Sequence, residues 1–369
     1  MTVYPLPTLV SPSPTRGFLY IGDPHVWSKK PGRRRDEDFL ATILGKLGQA
    51  AEIANKHQLW PICPGDLLHD DDDHDPVMLL NLTRALQKFE RKMICLVGNH
   101  DKDEAHLSER NSLLLLGVAG QLHLIDRSGF CGVIDMQTPD GDIKVAIGGT
   151  PYGDPIPQDV ASFLGAGFDP KADNRRAHGL AGVDTIVWMT HEDLAFQGAY
   201  PGAKPIEEIR GVDACFNGHM HGTSLPHKVG MTSWYNPGNI TRMSVDTMDH
   251  KPSVWEWLPR EEQEMGTQQG LRVPLLHQHV LNHVQGEYAF TLEGLHATAM
   301  MPAQALEGLP TSAFAERLLS DRIQQRSDDG TFTRESLETI LEASQVPDLV
   351  KETARRRQEQ AARNLAERG

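Results

Sequence analysis

No run of about 18 consecutive apolar residues occurs in this 369-residue chain, which argues against a membrane span. Cysteine is scarce. The four residues, Cys63, Cys95, Cys131 and Cys215, lie far apart and form no CxxC pair. That excludes a disulfide framework or zinc ribbon; each sits in or beside an apolar stretch and reads as a buried, reduced thiol. Positive charge is also short: 36 Lys plus Arg against 50 Asp plus Glu leave a net charge of −14. A histone-like or polybasic binder is excluded, whereas a nuclease whose positive charge comes from metal ions is not. The N-terminal stretch MTVYPLPTLVSPSPTRG has no apolar signal core and reads as an extended arm. The expected setting is cytoplasmic and reducing. No internal repeat of fixed period is present.

What is present suffices for a globular protein. Apolar residues make up 39% and charged residues 23%, enough to bury a core. Length alone suggests two or three units, or one large domain with an appendage. Histidine is the unusual count, at 17, and directs the search to a metal or acid–base site.

Apolar patterning predicts strands over 17–21, 59–63, 93–97, 121–125, 132–136, 143–147, 185–189, 214–216, 232–235 and 253–258. Helices are expected over 36–56 and from Asp75-Pro76 to about Lys92. The early strands alternate with helices and the later ones follow more closely, which suggests an α/β sandwich of mixed sheets. The expected organisation is an arm (1–16), a catalytic domain (17–260), a linker and small cap (261–310) and a helical tail (311–369). The linker expectation rests on polar Glu261–Gly270. Tail helices are read at 312–325, from Thr333, and over 347–367.

Five segments carry the chemistry. Asp23-x-His25, Gly65-Asp66 and Gly98-Asn99-His100-Asp101 each follow a predicted strand, as do His191 and Gly218-His219-Met220-His221. Strand ends converge at one edge of an α/β sheet, where ligands bind. Aspartate, histidine and asparagine gathered there suit a two-metal centre, in which one carboxylate bridges the ions and imidazoles and amide oxygens complete each shell. Singly these segments are weak: a GD after a strand is usually a turn. All five in this order are hard to obtain by chance.

The series D-x-H, GD, GNHD, H, GHxH resembles the calcineurin-like metallophosphoesterase superfamily over roughly Gly17 to Leu258. The resemblance implies an enzyme with a four-layer α/β/β/α sandwich, a small cap and C-terminal helices. It implies one metal held by Asp23, His25, Asp66 and His221. The second would be held by Asp66, Asn99, His191 and His219, with Asp66 bridging. His100 would act beside the metals, oriented by Asp101, and Asn99 would also touch substrate. Two divalent ions would neutralise the phosphate oxygens and activate a hydroxide, and His100 would stabilise or protonate the leaving oxygen. The mixed N/O donors disfavour calcium, and the family favours Mn²⁺.

Within that superfamily the chain resembles the SbcD-type DNA repair nucleases. Arg35 followed by Asp38-Phe39 is similar to their R-x-x-D segment, although RRRDED allows more than one alignment. Gly149-Thr150-Pro151-Tyr152 and Asn236-Pro237-Gly238-Asn239 resemble two further segments, with Asn239 where serine is usual. The implied substrate is DNA, with Arg35 contacting it. The implied partner is an SbcC-type coiled-coil ATPase docked on the C-terminal helices; a homodimer is a further expectation, and no membrane is involved. The same metals would equally serve a small-molecule phosphodiesterase or phosphatase acting on nucleotides. The loop KKPGRRR suits a phosphate backbone, or is simply solvated. Asp70–Asp73 read as a solvated approach to a helix N-terminus, and His277, His279 and His283 as surface or packing residues. Of Trp255 and Trp257, one is expected in the core and the other on a contact surface.

Overall fold

A computed structural model describes residues 6–160, 163, 183–196, 202–264 and 272–291. All of these except 31–33 and 291 belong to one compact unit. In the second unit, the Thr291 N–H donates to the Arg33 carbonyl (2.8 Å). The predicted tail helices, and the cap beyond residue 291, lie outside the described residues.

Two six-stranded mixed sheets form the unit. The first contains β1 (Gly17–Tyr20), β2 (Leu59–Cys63), β3 (Ile94–Leu96), β4 (His123–Ile125), β11 (Ser253–Glu264) and β12 (Arg272–Val280), in the order β12-β11-β1-β2-β3-β4. The second contains β5 (Gly129–Thr138), β6 (Gly141–Thr150), β7 (Thr185–His191), β8 (Ala214–Gly218), β9 (Ser224–Val229) and β10 (Thr232–Asn236), in the order β5-β6-β7-β8-β10-β9. Strand side chains alternate between faces. Phe18, Tyr20, Trp60, Ile62, Ile94 and Leu96 therefore face the second sheet, where they meet Val145, Ile147, Val187, Met189 and Phe216. Leu19, Ile21, Cys63 and Cys95 face the helices instead. Both faces of the central strands are covered, which is why those strands read as unbroken apolar runs.

Helix α1 (Phe39–His57) starts where Asp38 accepts the Ala41 N–H (2.8 Å). It stops where Gln58 turns left-handed (φ 59°). Its Ile43, Leu47, Ala50 and Ala54 face the first sheet. Helix α2 (Pro76–Leu86) has Asp75 as its N-cap and Pro76 in its first turn, as its sequence predicts. It ends about six residues before the expected Lys92. After Leu86 the Lys88 and Phe89 N–H groups bond three residues back, and Asn55 engages both Lys88 O (2.8 Å) and Glu90 N (2.9 Å). Helix α3 (Ser112–Val118) and β9 were not expected as such elements, whereas β12 falls within 271–295, where a few strands or a small cap were expected. These helices pack on the first sheet; among the described residues, loops around Val160, Leu194, Ile209 and Val212 cover the outer face of the second.

Two expectations are corrected. Residues 261–264 are not linker: they continue β11, whose Glu262, Gln263 and Glu264 pair with Pro274, Val273 and Arg272 of β12. Polar composition misled because these residues lie past the stretch of β11 that pairs with β1, and the register shows them paired with β12. Trp255 and Trp257 do not face opposite ways. Residues two apart share a strand face, and both join the inter-sheet core.

The N-terminal arm lies along β5. Leu9 N donates to Val133 O (2.8 Å), Val133 N to Pro7 O (2.9 Å) and Gln137 N to Thr15 O (2.7 Å). Buried Arg91 holds the arm through Ser13 Oγ (2.6 Å), Thr15 Oγ1 (3.0 Å) and the Pro14 carbonyl.

Candidate metal centre

Strands β1, β2 and β3 run parallel, as do β7 and β8, so their C-terminal ends carry the predicted segments to common edges. The loops that follow are strained. Among the described residues, five non-glycine residues have positive φ, and four of them are Asp23 (33°), His25 (48°), Asp66 (51°) and His219 (69°). Left-handed backbone is unfavourable for such residues and is retained where geometry matters more than local comfort. Two motif glycines allow close approach. A Cβ at Gly98 would land on Asp66 Oδ1, and one at Gly65 on His191 Nδ1.

The predicted ligands fall into two groups around Asp66. In one, His25 Nε2 lies 3.0 Å from His221 Nε2 and 3.8 Å from Asp66 Oδ2, and His221 Nε2 lies 3.8 Å from Asp23 Oδ2. In the other, His191 Nε2 lies 3.2 Å from Asp66 Oδ2 and 3.1 Å from Asn99 Oδ1, and Asn99 Oδ1 lies 2.9 Å from His219 Nδ1. Asp23, His25, Asp66 and His191 are buried.

These residues fit divalent cations. Asp23 Oδ1 is buried without a hydrogen-bond partner, and two imidazole nitrogens face each other at 3.0 Å. Burial raises the Asp23 pKa to about 8, with His191 opposing and Asp66 adding to the rise. Burial also works against the Asp66 charge, but His191 and His100 outweigh it and hold that carboxyl well below the usual range. Burial would lower His191; the two carboxylates instead raise it to about 10. The closed acidic space thus draws in positive charge, which divalent cations would supply.

The GNHD turn divides its work differently from expectation. His100 N donates to Asp66 Oδ1 (2.9 Å), and the ring Nδ1 lies 2.7 Å from the His69 carbonyl. The Asp101 carboxylate does not serve as the ring's orienting partner: it accepts the N–H groups of Asp66 (2.9 Å), Gly98 (2.8 Å) and Leu68 (3.0 Å). It joins the β2 and β3 loops. The Arg35 side chain is exposed. Its neighbour Arg34 is the structural one, buried and paired with Asp36 (2.7 Å) over the rings of Phe39 and Phe290.

His69 and Asn217 were not singled out from sequence, whereas Asn236 and Tyr152 belong to segments that were. His69 stacks on His100 (4.8 Å, 18°), and its Nδ1 lies 3.4 Å from His25 Nδ1. Burial pulls its pKa down to about 3. Its signal was available, three residues after Asp66 in the same loop. Asn217, at the end of β8, accepts from Thr190 Oγ1 (2.9 Å) and donates to Glu192 O (3.0 Å) and Asn236 Oδ1 (3.1 Å). Asn236 in turn donates to Met220 O (3.0 Å) and Gly222 O (2.7 Å), fixing the GHMH loop. Nothing in the local pattern distinguishes Asn217 from an ordinary strand-end residue. Tyr152, from the segment after β6, lies 5.6 Å from the His219 ring and 6.1 Å from that of His191.

A sequence profile of the calcineurin-like phosphoesterase family matches residues 17–223, more than half the chain. No curated protein sequence matches. Among solved structures, one match is "GAP50 the anchor in the inner membrane complex of Plasmodium", with 14% identity, TM-score 0.37, and coverage of 78% of this chain and 95% of that one. Another is a 5'-nucleotidase precursor from Thermus thermophilus, with 14% identity and TM-score 0.35, where 79% of this chain spans 59% of the other.

Proposed function

The chain belongs to the calcineurin-like phosphoesterase family and is a metal-dependent phosphoesterase; on that premise we propose that it is a DNA exo- or endonuclease of the SbcD type. The observation that carries this reading is Asp66, a single buried carboxylate set between two groups of histidines on strained strand-end loops. Asp23, His25, Asp66 and His221 would hold one ion, and Asp66, Asn99, His191 and His219 the other. Manganese suits that donor set. When bound, the two ions supply neutralisation of the phosphate oxygens and lower the pKa of a water near phosphorus.

The chain's own groups account for the rest. The His69 carbonyl accepts from His100 Nδ1–H, so in the imidazolium form Nε2–H is the group that would protonate the leaving alkoxide, a contribution of roughly 10²–10⁴-fold. Asn99 would touch substrate as well as metal. Arg35, exposed on the loop after Asp23-x-His25, suits a phosphate contact. The proposal extends to an SbcC-type ATPase held by the C-terminal residues, which would supply the DNA grip that a net charge of −14 does not.

The test is hydrolysis of end-labelled single- and double-stranded DNA and of a chromogenic phosphodiester with Mn²⁺, alongside His100→Ala. DNA degradation that falls in the variant supports the nuclease reading. Turnover of the small diester with DNA left intact, even when the ATPase is present, would overturn it in favour of a nucleotide-directed phosphodiesterase.

A further inference from the structure

We infer a second, independent metal site, formed by His57, Glu256 and His279 and suited to one ion of the zinc class. His57 Nδ1 and His279 Nε2 each lie 2.9 Å from the same atom, Glu256 Oε2. The donor atoms of all three lie within 4.8 Å of one another. The two imidazole rings stand 4.9 Å apart at 84°, so neither stacks on the other and both aim at the carboxylate. The residues come from three elements: the last position of α1, the middle of β11 and the edge strand β12.

This place is distinct from the candidate centre above. Glu256 pairs with Leu19, four residues before Asp23. At roughly 3.3 Å per residue that chain separation is at most about 13 Å. His57 ends α1 two residues before β2 begins, whereas the candidate centre gathers where the strands end, and the cluster is on the helix-facing side.

The chemistry suits zinc more than a hard oxygen-seeking ion. Two imidazoles and one carboxylate form a His₂Glu set. With Zn–N and Zn–O distances of about 2.0–2.1 Å, neighbouring tetrahedral donors stand about 3.3 Å apart. The 2.9 Å contacts therefore need to open by only about 0.4 Å to admit the ion. His277 pairs directly across from Glu256 and so shares its face, and its ring lies 4.8 Å from that of His279; its donor atoms are not among the three that gather, so the fourth position falls to water. Glu256 is nearly buried (7% exposed), with His57 and His279 at 29% and 16%, so the carboxylate is shielded while solvent can still deliver an ion. The C-terminal end of α1 adds a favourable field for a cation. Bound there, the ion would clip edge strand β12 to α1.

The experiment compares zinc retained by the full-length wild type, His279→Ala and His57→Gln after chelation, reloading with Zn²⁺ and desalting. The candidate dinuclear centre contributes equally to all three, so the difference is specific to this site. One equivalent fewer in both variants is expected, with a smaller zinc-induced rise in melting temperature. Equal zinc in all three would overturn the inference. His279→Cys loaded with Co²⁺ gives a positive signature, a sulfur-to-cobalt charge-transfer band, which hydrogen bonding alone would not produce. Its absence in a folded variant, judged by wild-type circular dichroism, would equally sink the site.

Discussion

Asp101 shows how much of the site depends on groups that need not touch a reactant. Its carboxylate satisfies three buried N–H groups from two loops. Asp101→Ala would leave them unpaired, at about 1–3 kcal/mol each. The expected loss is about 3 kcal/mol or more in urea unfolding, with metal affinity falling because Asp66 is no longer pinned. A variant as stable as wild type would refute this role. Lys46 carries a second residue-level consequence. Its ammonium is buried and donates to Ile240 O (2.9 Å). Burial first, then Arg34 and Arg242, pull its pKa from 10.5 down to about 7. Between those two values the unfolded chain binds more protons than the folded one, so this group makes stability rise with pH across about 7 to 10.5. Lys46→Met should flatten that slope in melts taken across the window; an unchanged slope would remove Lys46 as its source. The ligand-type residues were legible because each follows an apolar strand in an unusual combination. Asp101 was misassigned because adjacency to His100 suggested a side-chain pair, whereas in so tight a turn its carboxylate serves backbone groups of the neighbouring loop.

At the scale of elements, the central strands and both long helices were legible, since apolar period and caps coincide there. The failures share a cause. The end of α2 is decided by Asn55, over thirty residues earlier in the chain, and residues 261–264 stay in β11 because β12 is beside them. Neither partner is local, and an edge strand shows little apolar pattern. The arm is a third element held from a distance. Arg91→Met would remove its hydrogen bonds to Ser13, Pro14 and Thr15. The expected result is a loss of about 2–4 kcal/mol, together with protease cleavage within residues 6–16. Resistance equal to wild type would show that the contacts to β5 suffice alone.

For the molecule as a whole, the sandwich was legible from strand and helix order, and the family from motif order. The C-terminal expectations fall on residues outside those described. Metal should couple to global stability, because the candidate centre joins loops from both sheets. Ions at about a hundred times their dissociation constant add about 2.7 kcal/mol, or about 5–10 °C for a domain of this size. Mn²⁺ should therefore raise the melting temperature of chelator-treated protein by that amount. The rise should be lost in Asp66→Asn; an equal rise there would place the stabilising ion elsewhere.

The arm along β5 has one more consequence, for behaviour in concentrated solution. β5 ends the second sheet, and without residues 7–15 its outer row of N–H and C=O groups would be open to any passing strand. The arm is thus a guard against self-association. A chain trimmed of it would keep its strand-end chemistry and lose its colloidal stability, sticking edge to edge as concentration rises.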